Sequence, residues 1–417
     1  MIDMDEGTEK KLGTRVFKKS SPNNKITIYL GKRDFLDKNG LVDPIEGIVL
    51  LDSDYVKDKK VFIHVLALFR YGRDDLDVLG LTFRKDLFLS TQQIYPPTNS
   101  IIPSLTKLQE RLIGKLGHNA IPFIFQIPHM TPASVTLQPD PEDNGKPCGV
   151  DYELKVYMSD GPDGKTHKRN SVRLLIRKLT FATSDPGPQQ FQEVTKDFKM
   201  CGGKIRLETS LDKEKYYHGE SIAVNVTVDN TSNKIIRKIR LQVVQLADIM
   251  LFTRAMYKCV VDEMEIDDGF PISPGQIGWC KIFHMCPLLS NNRDKRGLAL
   301  DGLLRYEDTN LASSTVLNEN SDLENMGIIV KYFIRVRLIL GFGTSDIQLE
   351  IPFILTHPNP DSDFRIPNSV SNDLNPLDSN GIDTDFNKLQ FKQEEEFIFE
   401  DFARLRLYGN ETNCEEA

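Results

Sequence analysis

Arg177 stands in the run Asn170-Ser171-Val172-Arg173-Leu174-Leu175-Ile176-Arg177-Lys178-Leu179-Thr180-Phe181, whose leucine-rich and β-branched middle has neither glycine nor proline. Such a run reads as a strand inside a β-sandwich. Side chains alternate along a strand, so Arg177 shares a face with Leu175 and Leu179. A guanidinium on a leucine face either reaches water or meets a carboxylate indoors, because a buried charge without a partner is too costly to keep. Most strand arginines are the solvated kind. In the other case the chemistry is exchange: whatever removes the carboxylate releases the arginine.

Other chemistries are poorly represented. No GxSxG, HExxH, Walker loop or zinc-type cluster occurs. Gly341-Phe342-Gly343 lacks the third glycine of a dinucleotide loop. The seven histidines show no metal-ligand spacing; scattered histidines are most often structural, so none is given a catalytic role. The six cysteines (Cys148, Cys201, Cys259, Cys280, Cys286, Cys414) contain no CxxC pair and read as reduced, cytosolic thiols. The sequons at Asn225, Asn230 and Asn410 are then expected to stay unmodified. The expected business of the chain is binding and switching, with no enzyme activity, no metal and no cofactor.

The elements that must position Arg177 follow from pattern. The 417 residues imply two or three domains, and 40% hydrophobic with 27% charged residues is the balance of a soluble globular protein. A net charge of −8 disfavours wholesale nucleic-acid binding. Residues 393 to 417 hold eight acids and two arginines, whereas Arg15, Lys18, Lys19, Lys32 and Arg33 make the start basic. The two ends can pair in cis. The opening Met1-Ile2-Asp3-Met4-Asp5-Glu6 is not a signal peptide, and no run approaches the roughly 20 apolar residues of a membrane span.

Strands are expected at Lys25–Leu30, Gly47–Leu51 and Val61–Phe69, again from Phe123, then at Ile205–Leu211, Ile222–Val228 and Leu349–Leu355. Tyr71–Leu81 interrupts them as a hairpin or as a projecting loop with an apolar tip. The one clear helix follows Pro103-Ser104, with Ser104 as its cap, Leu105, Leu108, Leu112 and Leu116 along one face, and Gly117 closing it. That face packs on its own sandwich or docks a mobile segment. Asp185–Gln190 reads as a linker, and His357–Asp385, rich in Asn, Asp, Pro and Ser, as loosely attached chain. The island Phe397-Ile398-Phe399-Glu400-Asp401-Phe402 in the acidic tail reads as a docking motif.

At these motifs the chain resembles the arrestin family, from about Arg15 to Leu407. The resemblance is carried by Thr14-Arg15-Val16-Phe17-Lys18-Lys19, Leu30-Gly31-Lys32-Arg33-Asp34-Phe35, Phe69-Arg70-Tyr71-Gly72-Arg73, Leu79-Gly80-Leu81-Thr82-Phe83-Arg84-Lys85-Asp86, Leu108-Gln109-Glu110-Arg111-Leu112, Arg296-Gly297-Leu298-Ala299-Leu300-Asp301-Gly302, Glu307-Asp308-Thr309-Asn310-Leu311-Ala312-Ser313-Ser314 and Phe399-Glu400-Asp401-Phe402-Ala403-Arg404. The tail looks more like the non-visual, β-arrestin-like branch.

What the resemblance implies is an all-β protein of two antiparallel, immunoglobulin-like β-sandwich domains with one short helix in the first and an extended C-terminal tail. The boundaries are 14–184, a hinge at 185–190, 191–357, and a regulatory tail from 358. It also implies a polar core in which Asp34, Asp301, Asp308 and Arg404 accompany Arg177. Three carboxylates and two guanidiniums sum to −1. An aspartate at 301, inside the apolar run Gly297–Leu304, would indeed be expensive unpaired. Phosphate would be guided in by Lys18, Lys19, Arg33, Lys115, Arg173 and Arg305. A second, apolar lock would join Val16 and Phe17, the helix leucines Leu108, Leu112 and Leu116, and the tail rings Phe397, Phe399 and Phe402.

The resemblance further implies a receptor finger loop with Leu76, Val78, Leu79 and Leu81, and a clathrin-adaptor motif of Glu396, Phe399, Phe402 and Arg406. Leu374-Asn375-Pro376-Leu377-Asp378 departs from a clathrin box by its polar Asn375, which disfavours direct clathrin binding. Arg240 and Lys258 fit a phosphoinositide patch, although Val244 stands where a basic residue is common, and inositol phosphates are candidate ligands. Leu340 and Phe342 would sit at a membrane-facing edge. The function so implied is a cytoplasmic adaptor, recruited to the plasma membrane, that binds phosphorylated G-protein-coupled receptors, blocks G-protein coupling and promotes internalisation through the clathrin adaptor complex. A constitutive two-sandwich sorting or scaffold protein is the alternative; the assembled set of acids around Arg177 argues against it.

Overall fold

A computed structural model of the chain describes residues 14–38, 40–57, 59–71, 83–97, 104–139, 148–162, 164, 166–182, 187–198, 202–250, 255–304, 308–317, 323–341, 344–357 and 397–401. They form two β-sandwiches. In the first, the strands 397–401, 14–20, 26–30, 45–51 and 120–125 make one sheet in that order. The facing sheet runs from Ala299–Asp301 through Val135–Leu137, Gly149–Met158, Ser171–Phe181 and Asp34–Lys38 to Leu41–Val42, with Val61–Tyr71 and Phe83–Tyr95 branching from Gly149–Met158. The second sandwich pairs a four-stranded sheet (191–197, 204–211, 222–230, 279–285) with a five-stranded one (215–217, 347–356, 328–339, 238–249, 255–266).

Alternation builds these sheets. Ile205, Leu207 and Leu211, and Ile222, Val224, Val226 and Val228, are completely buried at every second position, while their neighbours are partly exposed. In the first sandwich Ile26, Ile28 and Leu30 are completely buried too, but there Thr27 and Tyr29 between them are also buried. Most pairings are antiparallel. Three are parallel: Ser171–Phe181 with Asp34–Lys38, Lys215–Tyr217 with Ile347–Thr356, and the tail strand Phe397–Asp401 with Thr14–Ser20.

The strand Ala299–Asp301 is the mechanical link. It departs from the second domain, hydrogen-bonds to Val135–Leu137 of the first, and aligns Asp301 with Val135. It thereby brings the loop of Gly302 and Asp308 onto the strand that carries Arg177.

The helix spans Lys107–Leu116, and its cap is Thr106 rather than Ser104. Thr106 Oγ1 accepts from the Gln109 amide at 3.3 Å while the Gln109 side chain accepts from the Thr106 amide at 3.1 Å. That reciprocal pair needs Gln three residues after the cap, which Thr106 has and Ser104 lacks. A second helix, the four residues Ser53–Val56 capped by Asp52, adds to the one expected. No helix among the described residues is long and apolar enough to cross a membrane.

Candidate functional site

Arg177 and Asp34 stand opposite one another in the parallel ladder between their strands. Register alone therefore places the carboxylate within reach of the guanidinium. Arg177 Nε donates to Asp34 Oδ1 at 2.7 Å and Nη2 donates to Oδ2 at 2.6 Å, a two-pronged, charge-assisted pair. The remaining nitrogen, Nη1, donates to the backbone carbonyls of Gly302 at 3.2 Å and Asp308 at 2.7 Å. The arginine side chain is 7% exposed, Asp34 40%. Leu175, on the same face two residues earlier, is exposed, whereas Leu179 is buried. The face is thus only half covered: the cover over Arg177 is the Gly302–Asp308 region of the second domain. A Cβ on Gly302 would lie 2.8 Å from Ser134 Cβ, too close, and 3.5 Å from Arg177 Cγ, an ordinary contact, so the glycine is required by the approach of its loop to Ser134.

Two expected companions bind differently. Asp308 reaches Arg177 through its carbonyl, and its side chain is exposed. Asp301, 3% exposed, gives its carboxylate to other partners. Its Oδ1 accepts from the Ser313 amide at 3.1 Å, and its Oδ2 lies 2.5 Å from His357 Nε2 and 3.8 Å from His218 Nε2. Asp34, Arg177, Asp301, Asp308 and His357 nevertheless line one cleft of about 720 Å³. His218, Asp301 and His357 bring three potential ligand atoms within 4.8 Å of one another. Two of those atoms face each other directly in the His357–Asp301 contact, which is the geometry of a hydrogen-bonded ion pair.

The apolar lock forms on the opposite side of the first sandwich. Val16, Tyr29, Ile48, Leu112 and Ala120 make a small buried cluster, with Leu108, Leu116, Phe397 and Phe399 packed against it. The tail strand lies parallel to Thr14–Ser20 with Phe399 beside Val16. The Phe399 ring meets Tyr29 edge-on at 5.7 Å. Arg111 stacks 4.5 Å from the Phe397 centroid, and Lys115 lies 5.4 Å from Phe397 and 5.0 Å from Phe399. Phe17 is a correction: one position on from Val16, it alternates to the other face and belongs to the main core. Phe402 lies outside the described residues.

The basic residues gather in part. Lys19 Nζ donates to the Arg173 carbonyl at 2.6 Å. Burial chiefly, then the charges of Arg173 and Arg33, hold the Lys19 pKa below its ordinary value. Three like charges are thereby crowded together. Arg173 pairs with Glu153 at 2.5 Å, and Arg33, buried, donates to the Leu175 carbonyl. Lys18 lies on the same strand as Lys19, while Lys115 is engaged with the tail rings. Arg305, Arg404, Glu396 and Arg406, together with Leu76, Val78, Leu79 and Leu81 of the expected finger loop, lie outside the described residues.

Arg240 and Lys258 of the expected phosphoinositide patch both lie on the five-stranded sheet of the second domain and are paired with acids. Arg240 is opposite Glu265 and bonds to it at 2.7 Å; Lys258 is opposite Leu246 and lies 3.7 Å from Glu350. Their backbones are six strand positions apart, about 20 Å, but Lys258 reaches Glu350, which binds Arg335, and Arg335 binds Gln242, two residues from Arg240. The expected membrane-facing leucine is also misplaced, since Leu340 is buried in the core.

Comparison with known proteins decides the family. Residues 26–182 match the model of the arrestin (or S-antigen) N-terminal domain and residues 201–360 that of the C-terminal domain. The chain belongs to the arrestin family. This arrestin is 52% identical to Beta-arrestin arr-1 of Caenorhabditis elegans over 426 residues, covering 99% of this chain and 97% of that one. It is 52% identical to Beta-arrestin-2 of Homo sapiens over 403 residues, covering 96% and 97%. Arrestin red cell isoform 1 of Oncorhynchus mykiss is 51% identical over 401 residues, covering 96% and 97%. Its relatives support an adaptor role in receptor regulation.

Sequence reading of this arrestin missed several residues. His218 and His357, which the sequence presents as scattered structural histidines, follow the strands Lys215–Tyr217 and Ile347–Thr356 and meet at Asp301. Tyr29 and Arg111, which hold the tail rings, were also passed over. A second buried pair, Lys178 with Asp37 at 2.8 Å, occupies the opposite face of the Arg177 strand, with Lys178 2% exposed. Its signal was available: two basic residues in succession in a strand must point to opposite faces, and Asp37 follows Asp34 by three positions on the neighbouring strand.

Proposed function

We propose that this arrestin is a phosphorylation-sensing adaptor. It binds activated, phosphorylated G-protein-coupled receptors, blocks G-protein coupling and promotes internalisation through the clathrin adaptor complex, moving from the cytoplasm to the plasma membrane as it does so. The observation that carries the reading is the Arg177–Asp34 pair under the Gly302–Asp308 cover, with its carboxylate on the exposed side of the contact.

Removing one member of a buried ion pair costs about 3–5 kcal/mol. A phosphoryl group brings about −1.5 to −2 charges near neutral pH. It can therefore outcompete a single aspartate for Arg177, and the crowded cations of Lys19, Arg33 and Arg173 form its approach. Loss of the Arg177 contacts to Gly302 and Asp308 uncouples the second domain's loop from the first domain.

The tail supports the same reading. Its strand occupies the edge beside Thr14–Ser20, and its rings cover Lys115 and Arg111. A phosphorylated receptor tail that takes those cations would expel it. Phe399 would then be free for the clathrin adaptor, which cannot use that ring while it packs on Tyr29. Inositol phosphates remain candidate ligands, with Arg240 and Lys258 as the basic residues that would meet them.

The test is binding of phosphorylated and unphosphorylated receptor-tail peptides to the full chain, with a fluorescent probe reporting tail release. Selective release by the phosphorylated peptide is the expected result. Equal release by both would favour the constitutive scaffold.

A further inference from the structure

The loop that covers Arg177 is carried on two stems, Ala299–Asp301 going out and 310–312 coming back. The stems pair with each other. The Ala312 amide donates to the Ala299 carbonyl at 2.9 Å, the Asp301 amide donates to the Asn310 carbonyl at 3.1 Å, and Leu300 bridges to Leu311. The other edge of the outgoing stem belongs to the first domain. There the Gln138 amide donates to the Leu298 carbonyl at 2.7 Å, and the Gly302 amide donates to the Ser134 carbonyl at 3.3 Å. Two side chains of the second domain grip the same two stems.

Gln245 lies on the strand Lys238–Ile249 and Tyr332 on the neighbouring strand Ile328–Ile339, and register sets them opposite one another. Both are buried. Gln245 Oε1 accepts from the Ala299 amide at 2.7 Å, and its Nε2 donates to the Ala299 carbonyl at 2.8 Å and to Tyr332 Oη at 2.7 Å. Tyr332 Oη in turn donates to the Ala312 carbonyl at 2.6 Å. The donors therefore run in one direction, from Gln245 through Tyr332 to Ala312, and the Ala299 amide fixes which way the Gln245 side chain is turned. Ala299 and Ala312 are completely buried, where a polar group left without a partner is costly. Apolar side chains of similar size at 245 and 332 would fill the space and leave the stems ungripped.

We propose that Gln245 and Tyr332 are positioning residues of the switch: they staple both stems of the Arg177 cover to the second domain, and so set how firmly Gly302 and Asp308 hold the guanidinium. The inference rests on the phosphate-sensing reading and names the part that couples it to the second domain. Arg177 Nη1 meets the cover at two backbone carbonyls, Gly302 three residues beyond Ala299 and Asp308 four before Ala312. Backbone acceptors have no rotamers with which to adjust, so their place is the place of the stems. When an anion takes Arg177, the cover parts from the first domain at Gly302 and Ser134 but stays on Gln245 and Tyr332. Cover and second domain then move as one body. Without the staple the cover is looser at rest, and less of the hold on Arg177 remains for an anion to overcome.

The experiment measures binding of phosphorylated and unphosphorylated receptor-tail peptides of one sequence to the full chain. Tyr332→Phe keeps the ring and removes both the donor to Ala312 and the acceptor for Gln245. Its ratio of phosphorylated to unphosphorylated binding should fall about fivefold, the effect of one hydrogen bond, through tighter binding of the unphosphorylated peptide. Gln245→Met should lower the ratio at least as far. Arg177→Glu with Tyr332→Phe should lower it no further than Arg177→Glu alone, because both act on one contact. Val226→Ala, a truncation in the buried core of the second domain's other sheet, should lower the melting temperature and keep the wild-type ratio. In the wild type itself, hydrogen exchange with phosphorylated peptide bound should quicken at the Gly302 amide and stay slow at the Ala299 and Ala312 amides. That measurement holds even if a variant is unstable. A wild-type ratio in folded Tyr332→Phe and Gln245→Met, an equal fall in Val226→Ala, or lost protection at Ala299 and Ala312 overturns the proposal while leaving phosphate sensing intact. A ratio near one in the wild type sinks phosphate sensing and this inference together.

Discussion

Arg177 and Lys178, adjacent on one strand, pair with Asp34 and Asp37 of the neighbouring parallel strand on its two opposite faces. The first pair faces the cleft between the domains. The second is buried beside a cavity walled also by Lys215 and Ser313 of the second domain, and the Lys178 ammonium donates to the carbonyls of His129 at 3.0 Å and Thr131 at 2.5 Å. Nearly the same chemistry therefore occurs at two exposures: Asp34 of the first pair is 40% exposed, whereas Asp37 of the second is 8% exposed and Lys178 2%.

Asp37→Ala should accordingly destabilise the fold without altering phosphate preference. It strands a buried ammonium, and the loss should be about 3–5 kcal/mol. Burial already holds the Lys178 pKa below its ordinary value, against the opposing pull of Asp37. Thermal denaturation beside the peptide assay checks this. A stable Asp37→Ala variant with altered peptide selectivity would show that the two faces are coupled.

Phe399→Ala should loosen the tail. The ring's burial contributes about 1.5–3 kcal/mol, and its edge contact with Tyr29 about 0.5–1.5 more. A probe pair spanning the tail and the strand Thr14–Ser20 should report a larger released fraction before any peptide is added, and a lower peptide concentration for half release. Phe17→Leu, on the other face of the same strand, should lower the melting temperature and leave tail release nearly unchanged.

Gly302→Val should act on the arginine without touching its charge. The new side chain would begin 2.8 Å from Ser134 Cβ, which forces the Gly302 loop away from the strand that carries Arg177, and 3.5 Å from Arg177 Cγ. Either the Gly302 loop retreats or Arg177 turns, and both lose the Nη1 contacts. Tail release in the absence of phosphate should rise, measurably less than for loss of the guanidinium itself.

Periodicity made much of the architecture legible. Alternating Ile and Val at Ile222–Val228 admits one reading, and the leucine spacing of Leu108, Leu112 and Leu116 another. Arg177 was legible by type, since a charge among leucines demands a partner. Its surroundings were less so. The leucine face proved exposed at Leu175 and buried at Leu179, because the cover comes from a distant loop that period-two pattern cannot register. The Asp301 partner was hidden for the same reason: His218 and His357 meet it only where two strand ends and a linker cross. The cap at Thr106, by contrast, was written three residues away in Gln109 and needed only the capping-box rule.

The central claim is that Arg177 is held by Asp34 until a stronger anion takes it. The most direct measurement is the ratio of binding to phosphorylated over unphosphorylated receptor for the wild type, for Arg177→Glu, and for Arg177→Glu combined with Asp34→Arg. The account predicts a high ratio for the wild type, a ratio near one for the single variant, and recovery of phosphate dependence in the double variant, whose charges are exchanged across the same register pair. A wild-type ratio in Arg177→Glu would contradict it.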